Sequence, residues 1–144
     1  MEINIYNNPD FPIKINEENL IHFDYGLPGF EELKKFAILD IEEYNPFLLL
    51  HSVEDQNIAM IVLSAGQLDL EDDLHIPEQQ LKELKNENEE HELGVFLILK
   101  IMDAGKEITA NTKAPVLINF QNQKGRQIIL DNEKLSMDYP ITVS

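Results

Sequence analysis

The side chains of this 144-residue chain that could do chemistry are four histidines, four serines and 27 carboxylates, and their spacing decides what they can do. His22, His51, His75 and His91 include no two at the spacing of a zinc-binding helix. The absence of cysteine removes thiolate metal sites, iron–sulfur clusters, disulfides and a cysteine nucleophile. Asp69, Glu71 and Asp73 fall on the first, third and fifth positions of a calcium loop, yet Leu74 stands where that loop needs glycine and Gln80 where it needs glutamate. Ser52, Ser64, Ser136 and Ser144 lack the glycine-flanked turn of a nucleophile elbow. The six glycines stand singly apart from Gly26 and Gly29, so no phosphate-binding loop is present. A glycosidase would need two carboxylates facing one cavity about 5–10 Å apart, whereas acids spread along polar segments mark a solvated face. The expectation is a binding protein, not an enzyme, with no metal and no cofactor. A small ligand-binding β-barrel is the alternative, and it would need a pocket with convergent polar groups.

Charge narrows the class of partner. The chain carries 27 Asp and Glu against 11 Lys and Arg, a net charge of −16. Residues 69–92 alone hold 10 acids and 2 lysines, whereas residues 93–144 hold 5 acids and 6 bases. Nucleic-acid affinity rests on Lys and Arg displacing counterions from phosphates, and Arg126 is the single arginine, so direct binding of DNA or RNA is not expected. The acidity serves solubility or steers in a basic protein partner. Apolar runs such as Phe47–Leu50 and Val95–Leu99 fall far short of the ~18 residues of a membrane span. The start, Met1-Glu2, lacks the basic and apolar regions of a secretory signal, so a cytoplasmic protein with no membrane partner is expected.

The elements that must position any binding residues read as short strands. Ile3 and Ile5 alternate with polar neighbours, Leu20–Asp24 forms a second strand, and Gly26-Leu27-Pro28-Gly29 ends it at a turn where Gly26 or Gly29 needs positive φ. Phe30–Lys35 suggests one helical turn and Phe36–Ile41 a strand. Phe47–Val53 and Ile58–Leu63 form a hairpin through Glu54–Asn57, and both look central. Pro77 opens a surface helix reaching about Asn86, with Leu81 and Leu84 on one face. Strands resume with Leu93–Met102 and Glu107–Ala110, then Pro115–Gln121 and Arg126–Leu130 around a turn at Asn122–Gly125. His22 and His51 fall within strands as structural histidines, whereas His75 and His91 sit in the acidic segment as solvated ones. The pattern predicts an all-β fold: a small antiparallel β-barrel-like single domain over residues 1–144 with one surface helix.

One segment stands out, Thr109-Ala110-Asn111-Thr112-Lys113-Ala114-Pro115 through Asn119. Pro115 breaks the strand pattern because it has no N–H for a ladder, and Asn111 and Asn119 can tie down loop backbone with their side chains. The segment is either a strand–loop–strand corner or a contact surface whose only charge is Lys113.

Taken with His22-Phe23-Asp24-Tyr25-Gly26-Leu27-Pro28-Gly29-Phe30-Glu31, with Pro46-Phe47 leading into Leu50-His51-Ser52, and with Gln127-Ile128-Ile129-Leu130, this segment resembles the FliW family of flagellar assembly factors in order and spacing along nearly the whole chain. The chain departs from the family pattern at Met60, at Ala65-Gly66 and at Thr112. The resemblance implies a β-barrel-like, non-enzymatic cytoplasmic regulator that binds flagellin and, in exchange, the small RNA-binding translational repressor CsrA. On that basis Asp69, Glu71, Asp72 and Asp73 are expected to attract basic CsrA, and Leu27, Phe30, Asn111 and Lys113 to lie in contact surfaces.

Overall fold

Strands that read as unbroken apolar runs need cover on both faces, and the architecture supplies it. The structure, a computed structural model, describes residues 1–68, 70, 74–88 and 90–142. In chain order the strands are β1 (Glu2–Asn4), β2 (Pro12–Lys14), β3 (Leu20–His22), β4 (Lys35–Leu39), β5 (Leu48–Ser52), β6 (Ala59–Ser64), β7 (Leu93–Met102), β8 (Glu107–Ala110), β9 (Val116–Asn119), β10 (Lys124–Gln127) and β11 (Tyr139–Pro140). Helix α1 (Glu78–Lys85) lies between β6 and β7. Strands β3, β4, β5, β6, β7, β9 and β10 close a barrel in which β10 returns to β3, while β8 and β11 extend outward from β7 and β1–β2 forms a separate hairpin.

Alternate residues fill the barrel. Ile21, Phe36, Ile38, Leu50, Val62, Phe96, Val116 and Ile118 point inward with Phe23 and Leu27, making the interior a packed core rather than a ligand chamber. The opposite faces of the same strands are covered too. The β1–β2 hairpin sets Ile3, with Ile15 just beyond β2, on Ala37, Leu39 and Leu49. Leu68, Leu70, Tyr139 and Ile141 cover Leu63, Leu97 and Leu99. Leu84 of α1, with Ile128, Leu130 and Leu135, covers Leu117. This second layer explains why the β5 and β7 sequences do not alternate.

The expected all-β barrel with one helix is therefore present, and β5 and β6 pair antiparallel as their hairpin required. Several local expectations are corrected. Phe30–Lys35 is a single non-helical turn, closed by the Leu33 amide on Phe30 O at 3.0 Å, that runs out into β4, because Glu54 Oε1 reaches in to accept the Lys34 and Lys35 amides at 2.6 and 2.8 Å and starts β4 there. These two bonds hold the Glu54 carboxyl below its ordinary pKa. Gly125 lies in β10 opposite Ile118, and the left-handed residue of the preceding turn is Gln123 at φ 59. The barrel closes through one parallel seam, where Lys124 pairs with His22 and the His22 amide donates to Gln123 O at 2.8 Å. Gln123 Nε2 reinforces the seam by donating to Leu20 O at 3.0 Å and to Glu17 O. His22 itself is half-exposed beside Asp24 at 3.3 Å, at the end of β3 beyond Leu20, which the outer layer covers. His91 is engaged by Asn119 and Asn88 at 3.1 and 3.0 Å rather than simply solvated.

Candidate functional site

The Asn111–Pro115 corner arises from an unusual division of labour along β7. One edge of that strand pairs with β9 over Leu93–Phe96 and with β8 over Leu99–Met102, so the chain must leave one partner and enter the other between them. The Asn111 amide donates to Ile98 O at 2.9 Å at this changeover, and the Asn111 side-chain oxygen accepts the Ala114 amide at 3.1 Å, closing the loop. Asn119 does the same at the far end of β9. Its oxygen accepts the Gln121 and Asn122 amides at 3.0 and 3.3 Å, and its nitrogen donates to Leu84 O at 3.0 Å, fastening α1 to the barrel. The corner geometry expected of this segment is observed.

Two further segments brace the corner. The Leu130 and Ile128 amides donate to Lys113 O at 2.8 Å and Pro115 O at 3.1 Å, and Gln127 Nε2 donates to Ala114 O at 2.9 Å. Thr112, fully buried, uses its hydroxyl twice: it donates to Ser136 O at 3.0 Å and accepts the Ser136 amide at 2.9 Å, while its own amide also donates to Ser136 O. Because Ile128 and Leu130 turn inward, Ile129 between them is 75% exposed, and Met137 beyond Ser136 is 65% exposed. Lys113 thus sits in a rigid corner flanked by two outward apolar side chains. Replacing Thr112 by valine is expected to lower stability by about 1–3 kcal/mol, since the half-buried Ser136 amide loses its acceptor on the buried Thr112 hydroxyl. Urea unfolding measures the loss, and amide exchange should quicken first around Ser136. Unchanged stability would mean that the clamp is dispensable.

The second predicted loop is built for packing. Gly26 and Gly29 have φ of 64° and 88°, as their turn demanded. Leu27 is 1% exposed and packs inside the barrel; Phe30 is half-buried, its amide donating to Leu27 O at 2.7 Å. The Gly29 amide donates to Glu31 Oε1 at 3.0 Å, and this bond, with Glu31's own amide, holds that carboxyl below its ordinary pKa. Beside the loop the Arg126 guanidinium lies 4.8 Å above the Tyr25 ring, donates to Gln80 Oε1 at 3.0 Å and pairs with Glu83. The sole arginine therefore ties α1 to β10. Glu83 is held below its ordinary pKa by its Gln79 hydrogen bond first and by Arg126 second.

Of the predicted site residues, Asn111 and Lys113 stand together and Leu27 and Phe30 stand together, with no described contact joining the two groups. Asp69, Glu71, Asp72 and Asp73 lie outside the described residues. The sequence reading missed Ile129, Met137 and the Tyr25–Arg126 stack; only the inward pull of Ile128 and Leu130 hints at the first. Among the described residues, no cluster of three or more His, Asp and Glu could hold a metal ion. No described helix is long and apolar enough to cross a membrane.

The chain as a whole is similar to known proteins. A family model described as FliW protein matches residues 5–141, covering both loops and the whole barrel. The chain belongs to the FliW family. It is 43% identical over 129 residues to the flagellar assembly factor FliW of Clostridium tetani, an alignment spanning 90% of this chain and 88% of that one. It is 36% identical over 138 residues to the FliW of Thermosipho africanus, spanning 95% and 94%. A crystal structure of the flagellar assembly factor FliW superposes with a TM-score of 0.84 at 26% identity, covering 97% of this chain and 96% of that chain. Of the positions that depart from the FliW pattern, Met60 is partly buried against the barrel core and Thr112 makes the Ser136 clamp.

Proposed function

We propose that this protein is a cytoplasmic flagellar assembly factor that works by protein–protein partner exchange without catalysis: it binds flagellin or the translational repressor CsrA, and flagellin capture frees the repressor. The observation that carries this reading is the FliW family match over residues 5–141. The net charge of −16 adds to it, because an acidic surface repels RNA while attracting a basic RNA-binding protein. In this reading the acidic segment containing Asp69, Glu71, Asp72 and Asp73 steers CsrA, and the braced Asn111–Pro115 corner with Lys113, Ile129 and Met137 supplies fixed contacts, with the Leu27–Phe30 loop contributing a second surface. Flagellin relies more on apolar contact.

The test is association kinetics with purified CsrA and purified flagellin across a salt series. Exposed charges act over a Debye length of ~8 Å at physiological salt. Replacing Asp69, Glu71, Asp72 and Asp73 together by Asn and Gln should therefore slow CsrA association by about tenfold at low salt and flatten its salt dependence. Flagellin association should change less. An unchanged CsrA rate means the cluster only solvates the chain; no binding of either protein by the wild type removes the functional reading altogether.

A further inference from the structure

Among the described residues the outer layer leaves an apolar gap beside the first hairpin. The β1–β2 hairpin covers the barrel over β4 and β5, and the segments around Leu68 and Tyr139 cover it over β6 and β7, but between them opens a cleft of about 270 Å³ lined by Tyr6, Tyr44, Phe47, Leu49, Ile61 and Ile101. That is just below the ~300–1,000 Å³ typical of small-molecule sites, room for one or two protein side chains. Tyr6, Tyr44 and Ile101 on its rim are 46%, 45% and 40% exposed.

The cleft is built, not left over. Tyr6 adopts φ 50°, a left-handed conformation that a bulky residue rarely takes and that persists only where its surroundings impose it. Asn7 beside it is left-handed too, at φ 57°, and the Asn8 amide closes this tight turn on Ile5 O at 3.0 Å; fully buried His51 fastens the turn, its Nδ1 donating to Ser52 O at 2.9 Å, which leaves Nε2 as the acceptor for the Tyr6 amide at 2.9 Å, and the Tyr6 ring tilts over the imidazole at 5.8 Å. This buried histidine thus positions an exposed tyrosine. Burial first, and the Tyr44 phenol second, raise the Tyr6 hydroxyl pKa above its ordinary value. Tyrosine-rimmed apolar pockets are where protein interfaces concentrate their binding energy.

The charge around the cleft selects the occupant. Exposed Glu42 and Glu43 share the turn that carries Tyr44, and exposed Asp103 follows Ile101 and Met102. Lys100, next to Ile101, is paired with Asp138 at 3.2 Å, and Lys106 follows Asp103 three residues on. We propose that this cleft receives an aliphatic side chain from a segment of a partner protein that carries lysine or arginine on either side of it, the apolar residue entering between Tyr6, Tyr44 and Ile101 and the cations facing Glu42, Glu43 and Asp103. The proposal rests on the protein-binding reading above and assigns the cleft to its basic partner.

Affinities for purified CsrA, the basic partner in that reading, and for purified flagellin are measured with the wild type, Tyr44→Ala, Ile101→Ser and the double variant Glu42→Gln/Glu43→Gln. Both rim side chains are nearly half exposed, and circular dichroism checks that the fold survives. CsrA affinity should fall about tenfold or more for each rim variant through faster dissociation, and the carboxylate variant should slow association several-fold with a flatter salt dependence. Amide exchange on the wild-type complex, which needs no variant, should slow at residues 5–7, 42–49 and 100–103. Unchanged CsrA affinity with no protection there overturns the proposal while leaving the functional reading intact. So does a loss confined to flagellin, or a self-association in sedimentation equilibrium that the rim variants abolish. A wild type that binds neither protein removes the functional reading and the cleft's role together.

Discussion

Gly26→Ala is expected to destabilise the fold by about 3 kcal/mol, more than a typical surface or turn substitution. Two costs add at this position. Its φ of 64° disfavours any residue with a Cβ, a penalty of roughly 1 kcal/mol. The added Cβ would also stand 2.6 Å from the Glu31 Cα and carbonyl oxygen. Those are backbone atoms, next to the Leu27–Phe30 bridge, so they cannot swing aside as a side-chain tip would, and forced overpacking costs a further ~1–3 kcal/mol. Gly29 is the internal control. Its φ is 88°, but nothing lies within 4 Å of its would-be Cβ, so Gly29→Ala carries only the conformational cost of about 1 kcal/mol. Urea midpoints for the two variants, at equal m-values, measure the difference. Equal losses would show that the close approach to Glu31 relaxes freely, and that only φ matters at this turn.

How far the sequence foretold this follows the range of the interactions. A glycine pair around Leu27-Pro28 announces a left-handed turn from local chemistry alone, and both residues have the expected sign of φ. Hairpin β5–β6 and the long β7 were legible for the same reason: turn residues punctuate apolar runs, and their pairing partners are near in sequence. Strands β2 and β11 were not. Pro12-Ile13-Lys14 and Tyr139-Pro140 carry little strand signal of their own and exist because β1 and β8 offer them an edge. The Asn111 corner was legible as a corner, through Pro115 and its two asparagines, but its bracing by Ser136 and Leu130 joins residues 24 and 17 positions apart and leaves no local trace. Likewise the acceptor role of His51 depends on Tyr6, 45 residues away.

Gly125 shows the same limit most sharply, and replacing it should have the second large effect. Local chemistry places it in a turn, since Asn122-Gln123-Lys124-Gly125 is rich in turn formers; the barrel instead needs it in β10 for want of space. A Cβ there would meet the Phe23 ring at 2.5 and 2.6 Å and Ile21 Cγ2 at 2.9 Å. Ring tips usually yield, but both residues are fully buried, and Phe23 is locked edge-on against Phe36 with centroids 5.5 Å apart. Gly125→Ala should therefore cost about 1–3 kcal/mol and Gly125→Val more, through overpacking alone. The damage should also be localised. Gly125 adjoins the β3–β10 seam, where Lys124–His22 is the single registered pair closing the barrel, so the strain relieves itself most cheaply by parting those strands. Amide exchange in Gly125→Ala should then accelerate at His22 and at residues 124–127 before it changes at the β4–β5–β6 meander. A variant that keeps wild-type stability, or that loosens uniformly, would mean the interior repacks around the methyl group and that the parallel seam is no weaker than its antiparallel neighbours.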